Sequence, residues 1–174
     1  MMKKIFLLTG FSNWGKTTLI YELFRKKKFH SGKTYIIPNT DDEFYVESTS
    51  NDDHRAIKFI QLISTKFTKE TVECNNFICA FCPTNEPLNN SLEILNSKTF
   101  SNFDQKHVLL LKNKWDFHAQ LNIDAIKSYL SPIPNIRFFV IDADQNSMTA
   151  DKRLQTKKQQ VEIYLRQHSN HRKQ

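Results

Sequence analysis

Glycine occurs only three times in this 174-residue chain. So few glycines exclude flexible glycine-rich linkers and leave most turns to Asn, Asp, Ser and Pro. Cysteine is equally rare, at three, and an odd count argues against a disulfide framework. Cys79 and Cys82 form a C-x-x-C pair with Cys74 upstream, but a fourth metal ligand is missing. Their odd spacing on an apolar run points them to opposite faces, so they read as buried thiols. No apolar run approaches the roughly 20 residues that span a membrane. The opening Met-Met-Lys-Lys-Ile-Phe-Leu-Leu-Thr-Gly imitates a signal peptide, yet its apolar part is too short. These absences predict a cytoplasmic protein with no membrane partner. Internal repeats and linkers are also lacking, and the length suits a single domain over 1–168 with a basic, frayed tail over 169–174.

Two of the three glycines fall in one octapeptide, Gly10-Phe11-Ser12-Asn13-Trp14-Gly15-Lys16-Thr17, which matches the phosphate-loop pattern G-x-x-x-x-G-K-[ST]. Before it, Lys4-Ile5-Phe6-Leu7-Leu8-Thr9 reads as a buried parallel strand. After it, Leu19, Leu23 and Phe24 recur at helical spacing. Gly10 is expected to let the chain leave the strand, and Gly15 to let the backbone approach a phosphate closely. The amides from Asn13 and Trp14 through Thr18 would then form an anion nest at the positive end of the helix. Lys16 is expected to reach the β- and γ-phosphates, and the Thr17 hydroxyl to ligate Mg²⁺. Lys16 and Thr17 are therefore the candidate catalytic residues.

The remaining elements alternate. Strands are predicted over 34–37 and 43–47, paired as a hairpin near a sheet edge, and over 77–82, 107–111 and 136–141. Helices are predicted over about 54–67, 89–103, 117–130 and 149–167, the last with Leu154, Val161 and Leu165 inward. Alternating strands and helices give an α/β fold, three layers with a mostly parallel central sheet of about six strands. With the loop above, that layout resembles the P-loop nucleoside triphosphatase fold.

Asn113-Lys114-Trp115-Asp116 directly follows a buried strand. Here the chain resembles the P-loop GTPases, whose guanine-recognition motif is Asn-Lys-x-Asp at the end of such a strand. The order and spacing of the strands also look like a small Ras-type GTPase. By that resemblance Asp116 would accept from the guanine N1 and N2 hydrogens, Asn113 would fix the loop and the base edge, and Lys114 would pack over the ring. A carboxylate facing two donors discriminates against adenine, which would leave it unpaired. The alternative is a polar turn after a strand. Ile141-Asp142-Ala143-Asp144 stands where the family keeps a second base-contacting loop, without its usual Ser-Ala-Lys. The family's Asp-x-x-Gly is missing too. Asp52 and Asp53 stand after the third strand, without the glycine, as candidate Mg²⁺ contacts; capping the next helix is their other role. The segment before the second strand is short for a first switch.

The formal net charge is +7. Lys152, Arg153, Lys157, Lys158, Arg166, Arg172 and Lys173 give the last helix and tail a cationic face. Such a face is usually solvated, but could dock a protein partner or nucleic acid. His168 and His171 read as solvated. The sequence therefore predicts a Mg²⁺-dependent nucleoside triphosphatase, a switch or partner subunit, with GTP slightly ahead of ATP. The alternatives are an ATP-using small-molecule or nucleotide kinase, with Arg137 and Arg153 as its available arginines, and a non-hydrolysing adaptor.

Overall fold

The computed structural model describes residues 2–67, 74–115, 119–143 and 149–170. In chain order the first elements are β1 (Lys4–Thr9), α1 (Lys16–Phe24), β2 (Tyr35–Ile36), β3 (Glu43–Glu47) and α2 (Ala56–Phe67). Then come β4 (Asn76–Phe81), β5 (Asn85–Glu86), β6 (Asn89–Asn90), α3 (Ser91–Asn96) and α4 (Lys98–Ser101). The last are β7 (Gln105–Leu111), α5 (Ile123–Leu130), β8 (Ile136–Ile141) and α6 (Ala150–His168). The fold is α/β, with a six-stranded sheet in the order β2-β3-β4-β1-β7-β8. Every pairing in it is parallel except β2 with β3, the edge hairpin.

Strand β1 is apolar on both faces because it is covered on both. Its Ile5, Phe6, Leu7 and Leu8 are wholly buried, as expected of a central parallel strand. Period-two alternation sends its neighbours' rings into two separate helical layers. On one face Phe6 meets Phe44 and His107, Phe44 meets Phe24 of α1, and His107 meets Tyr164 of α6. On the other, Phe77 stacks with Tyr45 and meets Phe103, and Phe81 meets Phe59 of α2. Among the described residues no helix is long and apolar enough to cross a membrane.

Strand β4 stands between β1 and β3. The turn after β3 is accordingly held at the end of β4. Three helix expectations change. The helix expected over 89–103 is two helices, because Ser97 turns extended (φ −60°, ψ 155°) and ends α3. Its first residues instead form β6, paired with β5 in a small ribbon. Of the helix expected over 117–130, residues 117 and 118 lie outside the described residues and α5 starts at Ile123, where the Asn122 side chain accepts from Ala125 N–H. Before it, Gln120 bridges to Asn113 and the Leu121 N–H donates to the Lys112 carbonyl, so this backbone is already paired. Helix α2 starts at Ala56, whose N–H donates to the Leu88 carbonyl; Asp52 and Asp53 do not cap it.

Two residues expected to fray are docked. Ser169 Oγ donates to the buried Asp42 carboxylate at 2.7 Å, and the Asn170 N–H donates to Asn76 Oδ1 at 2.8 Å. His168, read as solvated, lies against Tyr164 at a ring separation of 4.3 Å. His171, Arg172 and Lys173 lie outside the described residues.

Candidate functional site

Gly10–Thr17 runs from the end of β1 into α1, at the carboxyl edge of the parallel strands. Of its two glycines, Gly10 serves a different purpose from the one expected. Gly15 has φ +86°, a left-handed conformation that a side chain would strain, and it is the N-cap of α1. Asn13 shares that region at φ 59°. Gly10 has no such φ; a Cβ there would stand 2.7 Å from the Trp14 indole. Trp14 itself, expected among the ligand contacts, is 6 % exposed and donates its indole N–H to the Leu111 carbonyl at 2.7 Å. Its ring thus fastens the loop to the end of β7, and its backbone N–H, expected in the anion nest, donates to the Phe11 carbonyl at 3.2 Å.

No side chain caps α1 and its first turn carries no acidic residue. The first amides of a helix lack partners within it, and they carry the positive end of its dipole. Lys16 Nζ lies over the loop, donating to the carbonyls of Gly10 at 2.9 Å and Phe11 at 2.8 Å. It also faces Asp52 Oδ2 at 3.4 Å. Thr17 Oγ1 donates to the Ser48 carbonyl at 2.8 Å, so its hydroxyl points at the same turn that carries Asp52.

Asn51 holds that turn in place. It is wholly buried, accepts from the Cys82 N–H at 2.7 Å, and donates to the Cys82 carbonyl and Asn89 Oδ1 at 3.0 Å. It splices the turn after β3 to the end of β4. Within the turn, Asp52 accepts from the Ser50 hydroxyl and Asp53 from the Ser50 N–H. Asp52 is therefore the carboxylate that faces Lys16, while Asp53 lines the cleft with one oxygen held by its own turn. Asn51→Ala is expected to cost about 2–3 kcal/mol, because the buried Cys82 N–H loses its acceptor. A urea midpoint unchanged from the parent would contradict that splice.

Cys82 lies under this turn, and burial pushes its thiol up to about 12, with Asp52 adding and Lys16 opposing. Burial likewise raises Cys79. Both are free, buried thiols.

A cleft of about 700 Å³ opens over the loop. It brings together residues 12–19, Asp52, Asp53, Lys114, Trp115 and the first turns of α6. Asn113 fixes its loop through β8. Its amide donates to Asp142 Oδ1 and to the Ala143 carbonyl, both at 3.0 Å, tying the ends of β7 and β8. Its Oδ1 is buried with no hydrogen-bond partner among the described residues. Asp116 and Asp144 lie outside the described residues.

Sequence reasoning missed the part that α6 plays. Arg153 and Lys157, read as solvated cations, are each 4 % exposed. Arg153 donates to the Trp115 carbonyl at 3.4 Å and Lys157 to the Asn113 carbonyl at 2.6 Å. The signal was present: 153, 157, 161 and 165 form one i, i+4 stripe that continues the buried Val161 and Leu165.

Among the described residues no group of three or more His, Cys, Asp or Glu side chains is placed to hold a metal ion. A phosphate-bound Mg²⁺ needs few protein ligands, since phosphates and water complete its shell. Thr17 Oγ1 and Asp52, on the same side of the loop, fit that donor set.

No protein-family model matches the chain, nor does any curated protein or solved structure at a significant level.

Proposed function

We propose that the chain is a P-loop nucleoside-triphosphate-binding protein, a Mg²⁺-dependent triphosphatase acting as a switch or partner subunit in the cytoplasm, with GTP ahead of ATP. The observation that carries this reading is the position of Lys16. An almost fully buried ammonium lies over a strand-to-helix loop, at an uncapped helix start, with a carboxylate and a hydroxyl beside it. Such a group has little structural purpose, and phosphate oxygens would replace the loop carbonyls as its acceptors. Thr17 and Asp52 would hold Mg²⁺, which supplies neutralisation of charge on the β- and γ-phosphates. The loop amides and Lys16 would stabilise the same charge as water attacks.

The preference for GTP rests on Lys114 in the cleft wall and on the family resemblance of residues 113–116. Asn113 supports it only as the fixer of that loop, because its amide already binds Asp142 and Ala143. Calorimetry with GTP and ATP, each with Mg²⁺, tests both levels of the reading. Asp116→Asn is expected to weaken GTP about 10- to 100-fold and leave ATP unchanged, the cost of one unpaired recognition edge. Equal losses for the two nucleotides would reduce the motif to a surface turn.

A kinase remains the second reading, and Arg153 is the observation that favours it. It lines the cleft with Lys16, whereas Arg137 is exposed on β8. Phosphate transfer to an added small-molecule acceptor, above the rate of hydrolysis, would select that reading.

A further inference from the structure

We infer that Trp115 is the platform on which the nucleobase stacks, so that this cleft grips the base by its face as well as by its edge. The inference rests on the nucleotide-binding reading above and deepens it.

Trp115 is 55 % exposed, an unusual state for a large ring that ordinarily gains by burial. It lines the cleft, and it stands beside the phosphate loop: a Cβ built on Gly15 would lie 3.5 Å from the Trp115 Cβ. The ring thus springs from a point next to the phosphate loop and stands in the wall of the same cleft. The backbone that carries it is held from below. Lys157 donates to the Asn113 carbonyl and Arg153 to the Trp115 carbonyl, and both side chains are almost wholly buried. The Lys114 N–H donates to the Ala119 carbonyl at 3.0 Å, closing the same segment on itself. Two long cations thus hold the backbone that carries the ring before ligand arrives, which lowers the ordering cost of binding. The other tryptophan shows the contrast. Trp14 is buried and its N–H is satisfied at Leu111, so it is part of the scaffold.

Stacking on an aromatic ring uses the π-face that every base has, so its contribution is shared by guanine and adenine. Edge readout by residue 116 would act on top of it. Stacking therefore sets affinity for nucleotides over bare polyphosphate, and the edge sets the choice between nucleotides.

The test compares GTP, ATP and inorganic tripolyphosphate, each with Mg²⁺, on the full chain and on Trp115→Ala and Trp115→Phe. Trp115→Ala is expected to weaken GTP and ATP alike, by roughly 10- to 100-fold. Tripolyphosphate affinity should stay within about twofold, and Trp115→Phe should recover most of the loss because a ring remains. Nucleotide affinity unchanged in Trp115→Ala overturns the platform and leaves the ring as a surface for a protein partner. A proportional loss for tripolyphosphate also overturns it, since the residue would then shape the loop. Parent protein that binds tripolyphosphate but neither nucleotide overturns the platform and spares the phosphate loop. Parent protein that binds none of the three overturns both.

Discussion

Lys16→Ala is expected to weaken Mg²⁺-dependent binding of GTP and ATP by about 100-fold or more while leaving the fold intact. The size follows from the contacts removed. A lysine ammonium facing triphosphate oxygens makes charge-assisted hydrogen bonds of about 1.5–3 kcal/mol each, and two of them account for two to four decades. The retained fold follows from what Lys16 touches without ligand. Its acceptors are the Gly10 and Phe11 carbonyls and the Asp52 carboxylate, at the wall of an open cleft where water can replace it. Its side chain does not belong to the apolar core around Leu19, Ile20 and Leu23. The thermal midpoint should therefore move by no more than a few degrees, and calorimetry on the folded variant reads the affinity directly. Unchanged affinity for both nucleotides would remove Lys16 from the site and with it the phosphate-loop reading.

What the sequence could disclose was set by how local the determining physics is. The strand–loop–helix unit was legible because Ile5–Leu8, the two loop glycines and Leu19–Phe24 each carry their own periodicity or backbone constraint. The reasons for those glycines were not, because the clash at Gly10 comes from the rotamer of Trp14 four residues on. The break at Ser97 was hidden for a related reason. The apolar residues Leu92, Ile94 and Leu95 carry a helical period that masks the weak helix formers Asn96 and Ser97, while the Asn90 side chain, accepting from Leu92 and Glu93 N–H, fixes where α3 starts. Asn113 was recognisable as a motif residue, yet its amide had several possible partners, and only the arrival of β8 beside β7 supplies Asp142 and Ala143. Arg153 and Lys157 were misplaced because charge was weighed above register. On a helix that closes a cleft, long cations bury their stems and carry their heads to backbone carbonyls.

The other end of α6 predicts an acid instability that separates the docking of this helix from nucleotide chemistry. His107 is wholly buried, stacked on Phe6 at 4.6 Å, with Nδ1 2.9 Å from the Tyr164 hydroxyl. Burial, with the facing charges of His168, Arg137 and Lys4, lowers its pKa to about 3 from the ordinary 6.5. The neutral ring is therefore the folded form. Between pH 6.5 and about 3 the unfolded chain binds a proton at this position that the folded chain does not. The contribution of His107 is complete above pH 6.5 and is lost as pH falls through that window, by up to about tenfold in the unfolding equilibrium per pH unit. His107→Gln removes the titration while keeping a partner for Tyr164. Its urea midpoint should lie below the parent's at pH 7, because the ring contacts are gone, and should then fall more slowly as the pH drops to 4. Parallel pH profiles would show that the ring protonates without opposing the fold. Because α6 carries Arg153 and Lys157 to the cleft at one end and His168 to His107 at the other, loss of docking should loosen the 113–115 loop too.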